Sequence, residues 1–328
     1  MPYNNHMTYT GRSSSFRGKY IGRRLLQLIP IVFGVTFISF LLMHLAVTDT
    51  VDVLYEQQSG ANAAAAAAKR AALGLDQGFF TQYCHWLWQV LHGDMGQSFV
   101  TSLPVSTTML SKLPATLELM LLALFLTLLI SLPLGTLAAI RKGSIWDQLA
   151  RLLSFTGNAL PDFLFALILL YFFAVKWHFF SFLTPTADRS PLLPALPLAF
   201  AMTAKYLRQI RALLLDELSK EYVQALLCRG LPYHYVLTHY VFRAVAAPLL
   251  ALLALSAASL LGGSAIVETI FLWDGVGKLA VDAIMLRDYP IIQAYMIWMS
   301  ALYVLFNLAA DIICAYVDPR LTLRKKED

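Results

Sequence analysis

The chain has 328 residues, of which 58% are hydrophobic and only 14% charged, and its mean hydropathy is +0.62. That balance excludes a water-soluble globular protein, whose surface needs more charge than this chain supplies. The formal net charge of +5 is modest; the basic residues flank apolar runs and form no aromatic-plus-basic platform, which excludes a nucleic-acid partner.

Residues 1–24 are polar, with Arg12, Arg17, Lys19, Arg23 and Arg24 and no acidic residue. The first apolar run, 25–46, has the charged lead of a signal peptide but is too long and lacks a small-residue cleavage site. It predicts an uncleaved first transmembrane helix behind a cytoplasmic basic tail, since lysine and arginine are retained on the inner side. Hydrocarbon about 30 Å thick takes roughly 20 apolar residues per helical crossing, and later runs meet that length. Residues 47–112 are mostly polar or amphipathic and belong on the far, periplasmic side. Within them the alanine run 63–68 predicts a short surface helix, and Tyr83, Trp86 and Trp88 suit the membrane–water interface.

The second run, 113–140, is predicted to break at Pro133-Leu134-Gly135 and ends at a basic inner turn with Arg141, Lys142 and Arg151. A third run, 149–177, is interrupted at 157–161, and 178–190 is a short outer loop. The fourth run, 191–214, carries Lys205, Arg208 and Arg211 toward its inner end. A polar, turn-punctuated stretch, 217–248, separates it from the fifth run, 245–270. An outer loop leads to the sixth run, 291–317, and the tail 318–328 ends with Arg320, Arg324, Lys325 and Lys326. The pattern predicts an all-α polytopic membrane protein of about six transmembrane helices. Both termini then share one side, where most of the positive charge also lies. Lys69, Arg70, Lys112, Arg189, Lys278 and Arg287 are the outer minority.

The stretch 217–248 organises the rest. It predicts a helix–turn–helix outside the membrane, with Glu217 and Glu221 early in the first helix, where negative charge suits the dipole. Arg229 falls in its last turn and Gly230 at the following position, where left-handed backbone is cheap only for glycine. Pro232 suits the first turn of a second short helix reaching Pro248. Glu221-Tyr222-Val223, Arg229-Gly230-Leu231, Arg243 and Pro248 resemble the cytoplasmic coupling loop of ABC importer permeases of the oligopeptide/dipeptide/nickel branch. Leu226, Cys228, Tyr240 and Ala244 depart from that branch's usual residues. The resemblance extends over Leu73-Gly74-Leu75-Asp76-Gln77, Gly93-Asp94-Met95-Gly96-Gln97-Ser98, Leu261-Gly262-Gly263, Glu268-Thr269-Ile270-Phe271, Gly275-Val276-Gly277, Arg287-Asp288-Tyr289-Pro290 and Asp318-Pro319-Arg320. Asp274 stands where the family has proline.

The resemblance implies the type I ABC importer transmembrane architecture: a permease core over 113–317, in the bacterial inner membrane. It implies no ATPase activity in this chain and no cofactor. The implied partners are a second homologous permease subunit, two ABC ATPase subunits and a periplasmic or lipid-anchored solute-binding protein, besides membrane lipid. ATP-driven closure of the ATPases would push the loop helix and rock the crossing helices by alternating access. Glu221, Tyr222, Ala225, Arg229, Gly230 and Leu231 are the candidate coupling surface, acting by fit and not by chemistry.

Other features weigh less. Gly275-Val276-Gly277-Lys278 looks like half a phosphate loop, but Leu272 replaces the first glycine and Leu279 the Ser/Thr. Cys84, Cys228 and Cys314 are scattered and give no disulfide framework. Cys84, His85, His92 and Asp94 match no standard metal spacing, so no metal site is expected. Asp311 lies inside an apolar run, where a carboxylate is costly and faces the bundle or the inner surface. Glu118, Asp162 and Glu268 lie near run ends, within expected reach of water or headgroups. An ion-coupled secondary transporter would need ion-coordinating groups near mid-membrane, for which only Asp311 is a candidate; a membrane enzyme lacks a catalytic constellation. On substrate, Gln82-Tyr83-Cys84-His85-Trp86-Leu87-Trp88 through Leu91-His92, and Pro104-Val105 through Thr116, resemble nickel permeases slightly more than peptide permeases. The expectation is nickel, free or chelated, with di- or oligopeptides as the alternative.

Overall fold

A computed structural model describes residues 13–45, 51, 63–178 and 190–317. The expectations for most of the 1–24 tail, the loop carrying Thr184-Pro185 and Asp188-Arg189, and the tail with Asp318-Pro319-Arg320 lie wholly or partly outside these residues. In chain order the helices are α1 (Ser13–His44), α2 (Ala63–Ala72), α3 (Phe79–Leu91), α4 (Val105–Ile140), α5 (Ile145–Ala159) and α6 (Asp162–Leu170, continued in wider turns over Tyr171–Lys176). Then come α7 (Leu192–Leu218), α8 (Glu221–Cys228), α9 (Tyr233–Ile270), α10 (Val276–Leu286) and α11 (Tyr289–Val317). Among the described residues α4, α9 and residues 289–313 of α11 are long and apolar enough to cross a bilayer. The pair α5–α6, bent by 95°, makes a fourth span if counted together. The remaining long helices are α1, with its apolar stretch Ile29–Leu42, and α7, with its three basic residues.

Helix ends do not coincide with the ends of the apolar runs. At 1.5 Å per residue the 36 residues of α4 and the 38 of α9 span about 54 and 57 Å, well beyond the hydrocarbon. The expected second helix of the 217–248 stretch is therefore not a separate element: it is the protruding start of α9, which widens over Leu237–Val241 and runs through Pro248 without a break. Likewise α4 runs through Pro133 to Ile140. Gly135 does not end the helix. It lets α4 approach α7, since a Cβ there would lie 2.9 Å from Ile210 Cγ2. Gly157 does the same for α5, where a Cβ would overlap Ala204. α4 and α7 make the most extensive helix pair, followed by α9 and α11.

Four features correct or add to the sequence expectations. Tyr83 is 3% exposed and not interfacial. Its ring meets Phe37, Phe40 and Phe79, and its hydroxyl lies 3.3 Å from Thr36 Oγ1, so α3 is docked on α1 by an aromatic cluster. Asp288 is also buried, accepting from the Ser98 hydroxyl and, at 3.0 Å, from the Phe99 amide. The outer connection before α11 contains a helix, α10, and is not a plain loop.

Glu268 is the fourth, and the largest in consequence. It is fully buried, out of reach of water and headgroups. Its Oε1 accepts from Thr116 at 2.9 Å and Ser264 at 3.0 Å, and its Oε2 accepts the Lys278 amide at 2.9 Å. Thr116 Oγ1 in turn accepts the Val276 amide at 2.8 Å. The first turn of α10, whose amides have no intrahelical partner, is thus satisfied by a carboxylate of α9 and a hydroxyl of α4. The half phosphate loop has this use: a Cβ on Gly275 would overlap Glu268 Oε2 and Thr116 Oγ1, and one on Gly277 would lie 2.7 Å from Ala265 Cα. The turn is tied down further by an ion pair between Asp274 and Lys112, and by Trp273, whose indole donates to the Ala115 carbonyl at 3.0 Å.

Candidate functional site: the loop helix and its seat

Glu217 belongs to the last turn of α7 and not to the loop helix, because the chain turns at Ser219-Lys220 and α8 begins at Glu221. Lys220, extended at φ −70 and ψ 144, is the residue before the first helical turn. Glu221 keeps its expected place there, at the positive end of the dipole.

The other end of α8 closes as the Arg-Gly-Leu-Pro order predicts. Arg229 is the capping residue and Gly230 takes φ +84. The Gly230 amide donates to Leu227 O at 2.9 Å and the Leu231 amide to Leu226 O at 3.4 Å. These two bonds form a Schellman motif, with Leu231 and Leu226 as its apolar pair. Pro232, at φ −65 and ψ 141, then redirects the chain into α9.

α8 has two faces. Val223 is 1% exposed and packs with Ile210, Leu214, Val236, Leu237 and Val241, while Leu226, Leu227 and Leu231 lie against the same cluster. Spacings of three and four residues put these side chains on one stripe. Glu221, Tyr222, Gln224, Ala225, Cys228, Arg229 and Gly230 are exposed. The structure therefore brings five of the six candidate residues to one open surface. Leu231 is set inward, where it fixes the turn.

Tyr222 also has an inward tie that the sequence did not reveal. Its hydroxyl donates to Glu217 Oε1 at 2.6 Å, and Lys220 Nζ donates to Glu217 Oε2 at 2.6 Å. Partial burial first, and the adjacent Glu217 carboxylate second, push the Tyr222 phenol up, so it remains a donor at neutral pH. The hydrogen bond from Lys220 to Glu217 raises the ammonium in the same way. Glu217, 7% exposed, is the residue that sequence reading misassigned: it holds α8 to the end of α7. Its spacing from Tyr222, five residues across a turn, matches no helical template.

Of the outer residues 82–92 behind the nickel expectation, Tyr83 is buried, whereas Cys84, His85, Trp88, Leu91 and His92 are exposed. Tyr83 docks α3, and the His92 ring lies tilted against Trp88 of α3, its Nδ1 2.8 Å from the Trp88 carbonyl oxygen. Cys84 is a free, exposed thiol. Asp311 is half-buried near the end of α11.

The comparisons with known proteins agree with one another. A family model described as "binding-protein-dependent transport system inner membrane component" matches residues 131–323, and its N-terminal companion matches residues 18–120. The dipeptide transport system permease protein DppB of Escherichia coli K12 is 30% identical over 342 residues, covering 94% of this chain and 99% of its own. The oligopeptide transport system permease protein AppB of Bacillus subtilis is 37% identical over 318 residues, covering 92% and 98%. The glutathione transport system permease protein GsiC of Salmonella typhimurium is 32% identical over 302 residues, covering 92% and 98%. A solved inward-facing structure of the MetNI methionine ABC transporter is similar in fold, with a TM-score of 0.55 at 16% identity over 64% of this chain and 96% of that one.

Proposed function

Because the chain belongs to the family of binding-protein-dependent transport system inner membrane components, as a permease subunit of an ABC importer, we propose that it passes short peptides inward across the bacterial inner membrane. The observation that carries the substrate is the naming of its relatives: those matched along 98–99% of their own length are permeases for dipeptides, oligopeptides and glutathione. This reading takes the place of the expectation of nickel, which none of these relatives is named for. Deleting the gene is expected to abolish growth on a dipeptide as sole amino-acid source and leave nickel accumulation unchanged. Lost nickel uptake with intact dipeptide growth would reverse the assignment.

The chain works with a second permease subunit, a solute-binding protein outside and two ATPases inside. α8 is the contact through which the ATPases act. Its exposed face, Glu221, Tyr222, Ala225 and Arg229, meets a groove on an ATPase, while Val223 and the Glu217–Tyr222 bond transmit the push to α7 and α9. Energy passes through a helix of eight residues, so its orientation matters more than the chemistry of any side chain.

Both termini and α8 lie in the cytoplasm, and the 47–112 segment lies outside. Cysteine labelling tests this once Cys84, Cys228 and Cys314 are replaced by serine. Cysteines at Gln97 and at Met285, which is 73% exposed, are expected to react from outside, and cysteines at Arg229 and Lys326 only after the membrane is opened. Asp288 is unsuitable as a probe because it is buried and bonded. Labelling of Arg229 from outside would overturn the coupling assignment.

A further inference from the structure

Between α5 and α7 lies a cleft of about 450 Å³, lined by three arginines, Arg151, Arg208 and Arg211, with Phe155 and Leu207 as apolar walls and Asn158 beside them. Among the described residues, only one carboxylate is bonded into this group. Asp147, 1% exposed, accepts from Arg211 Nε at 2.6 Å and Nη2 at 3.1 Å, and from the Gly143 amide at 2.9 Å. Arg151 stands 3.5 Å from the same carboxylate, with its side chain 58% exposed. Arg208 is exposed and has no ion pair or hydrogen bond among the described residues. Three guanidinium groups against one carboxylate leave a local excess of two positive charges.

The cleft sits on the side of the bundle that carries α8, because Arg208 and Arg211 precede the α7–α8 turn by only two to three helical turns. The exposed side of α5 beside it is apolar: Ile145, Leu149, Leu152 and Phe155 are all open, Phe155 at 76%. Its opposite side, Asp147, Ala150, Ser154 and Gly157, is buried, and Gly157 meets Ala204 of α7. A cationic recess bordered by a lipid-compatible apolar face fits a ligand with an anionic head and hydrocarbon tails. A free small anion would leave the apolar wall unused.

From this charge and shape complementarity we propose that the α5–α7 cleft binds the headgroup of an anionic phospholipid of the inner leaflet. Arg208 and Arg151 contact the phosphate, and the acyl chains lie along Phe155 and Leu152. Arg211 is held by Asp147 and sets the rim. Basic recesses between membrane helices on the cytoplasmic side are suited to such headgroups. The proposal rests on the membrane orientation given above, not on the substrate.

The test uses the full-length chain in detergent, titrated separately with phosphatidylglycerol, phosphatidylcholine and inorganic phosphate, with bound lipid read by native mass spectrometry. Phosphatidylglycerol is expected to bind saturably, phosphatidylcholine and phosphate are not. Arg208→Gln and Arg151→Gln are each expected to weaken binding roughly fivefold, whereas Lys142→Gln, an exposed cation outside the cleft, leaves it unchanged. Equal binding of both lipids, equal loss in the Lys142 variant, saturation by phosphate alone, or displacement of the lipid by a dipeptide would each overturn the proposal. The topology labelling above separates its failure from failure of the orientation.

Discussion

Gly230→Val is expected to reach the membrane at near-normal levels and to lose most peptide uptake, together with the ATPase stimulation that accompanies it. Gly230 has φ +84 and open space where a Cβ would stand, so the substitution meets no clash and acts through the backbone alone. A β-branched residue in left-handed backbone costs on the order of 1–2 kcal/mol, and that much shifts a two-state balance roughly 5- to 30-fold. The site cannot absorb it elsewhere, because the two Schellman bonds to Leu226 and Leu227 close a helix of only eight residues. Gly230→Asn, which tolerates that region better, is expected to retain intermediate uptake. The checks are membrane abundance by immunoblot, labelled-dipeptide uptake and ATPase activity of the assembled transporter. Full uptake by the valine variant would remove α8 geometry from the coupling mechanism.

The second large effect lies at the other end of the bundle and concerns stability. Glu268→Leu strands the Lys278 amide and the hydroxyls of Thr116 and Ser264 inside the protein, at about 1–3 kcal/mol for each donor left without an acceptor. Three such losses approach the whole stability of a typical domain, so the variant is expected to be scarcely recoverable from membranes. Glu268→Gln keeps the volume and one acceptor oxygen and should fall between. Gly277→Ala probes the same knot from the backbone side: a methyl group 2.7 Å from Ala265 Cα forces a shift costing about 1–3 kcal/mol. Thermal unfolding of the detergent-purified chain, read alongside membrane abundance, measures all three. A leucine variant that unfolds at the wild-type temperature would show that the carboxylate does not hold α10.

Much of the architecture could be read directly. Of the six apolar runs, those at 113–140, 245–270 and 291–317 fall on the spanning helices α4, α9 and α11, and the interruption at 157–161 appears as the 95° bend between α5 and α6. The left-handed Gly230 followed from the order Arg-Gly-Leu-Pro, because helix termination is decided by the few residues around the end. Helix ends were less legible. Hydropathy registers where lipid stops, whereas α4 and α9 continue past it, held by protein contacts at Val105 and Met109 and at Val236, Leu237 and Val241. Prolines 133 and 248 were read as breaks or endpoints for the same reason; in the bundle, neighbouring groups can re-satisfy the backbone they disturb.

The amino-acid sequence by itself determined the class, the spans of α4, α9 and α11, the loop helix and its glycine stop, all of which depend on residues close together in the chain or on transfer from water to lipid. Only the tertiary structure decided what the buried polar groups do. Glu268 and Thr116 are 152 residues apart, Ser98 and Asp288 190, and Asp147 and Arg211 64. A carboxylate near the end of an apolar run looks the same in sequence whether it meets water, a headgroup or a ring of donors. Its energy depends on which groups the packing of α4, α7, α9 and α10 places within about 3 Å of it, and local pattern carries no record of that.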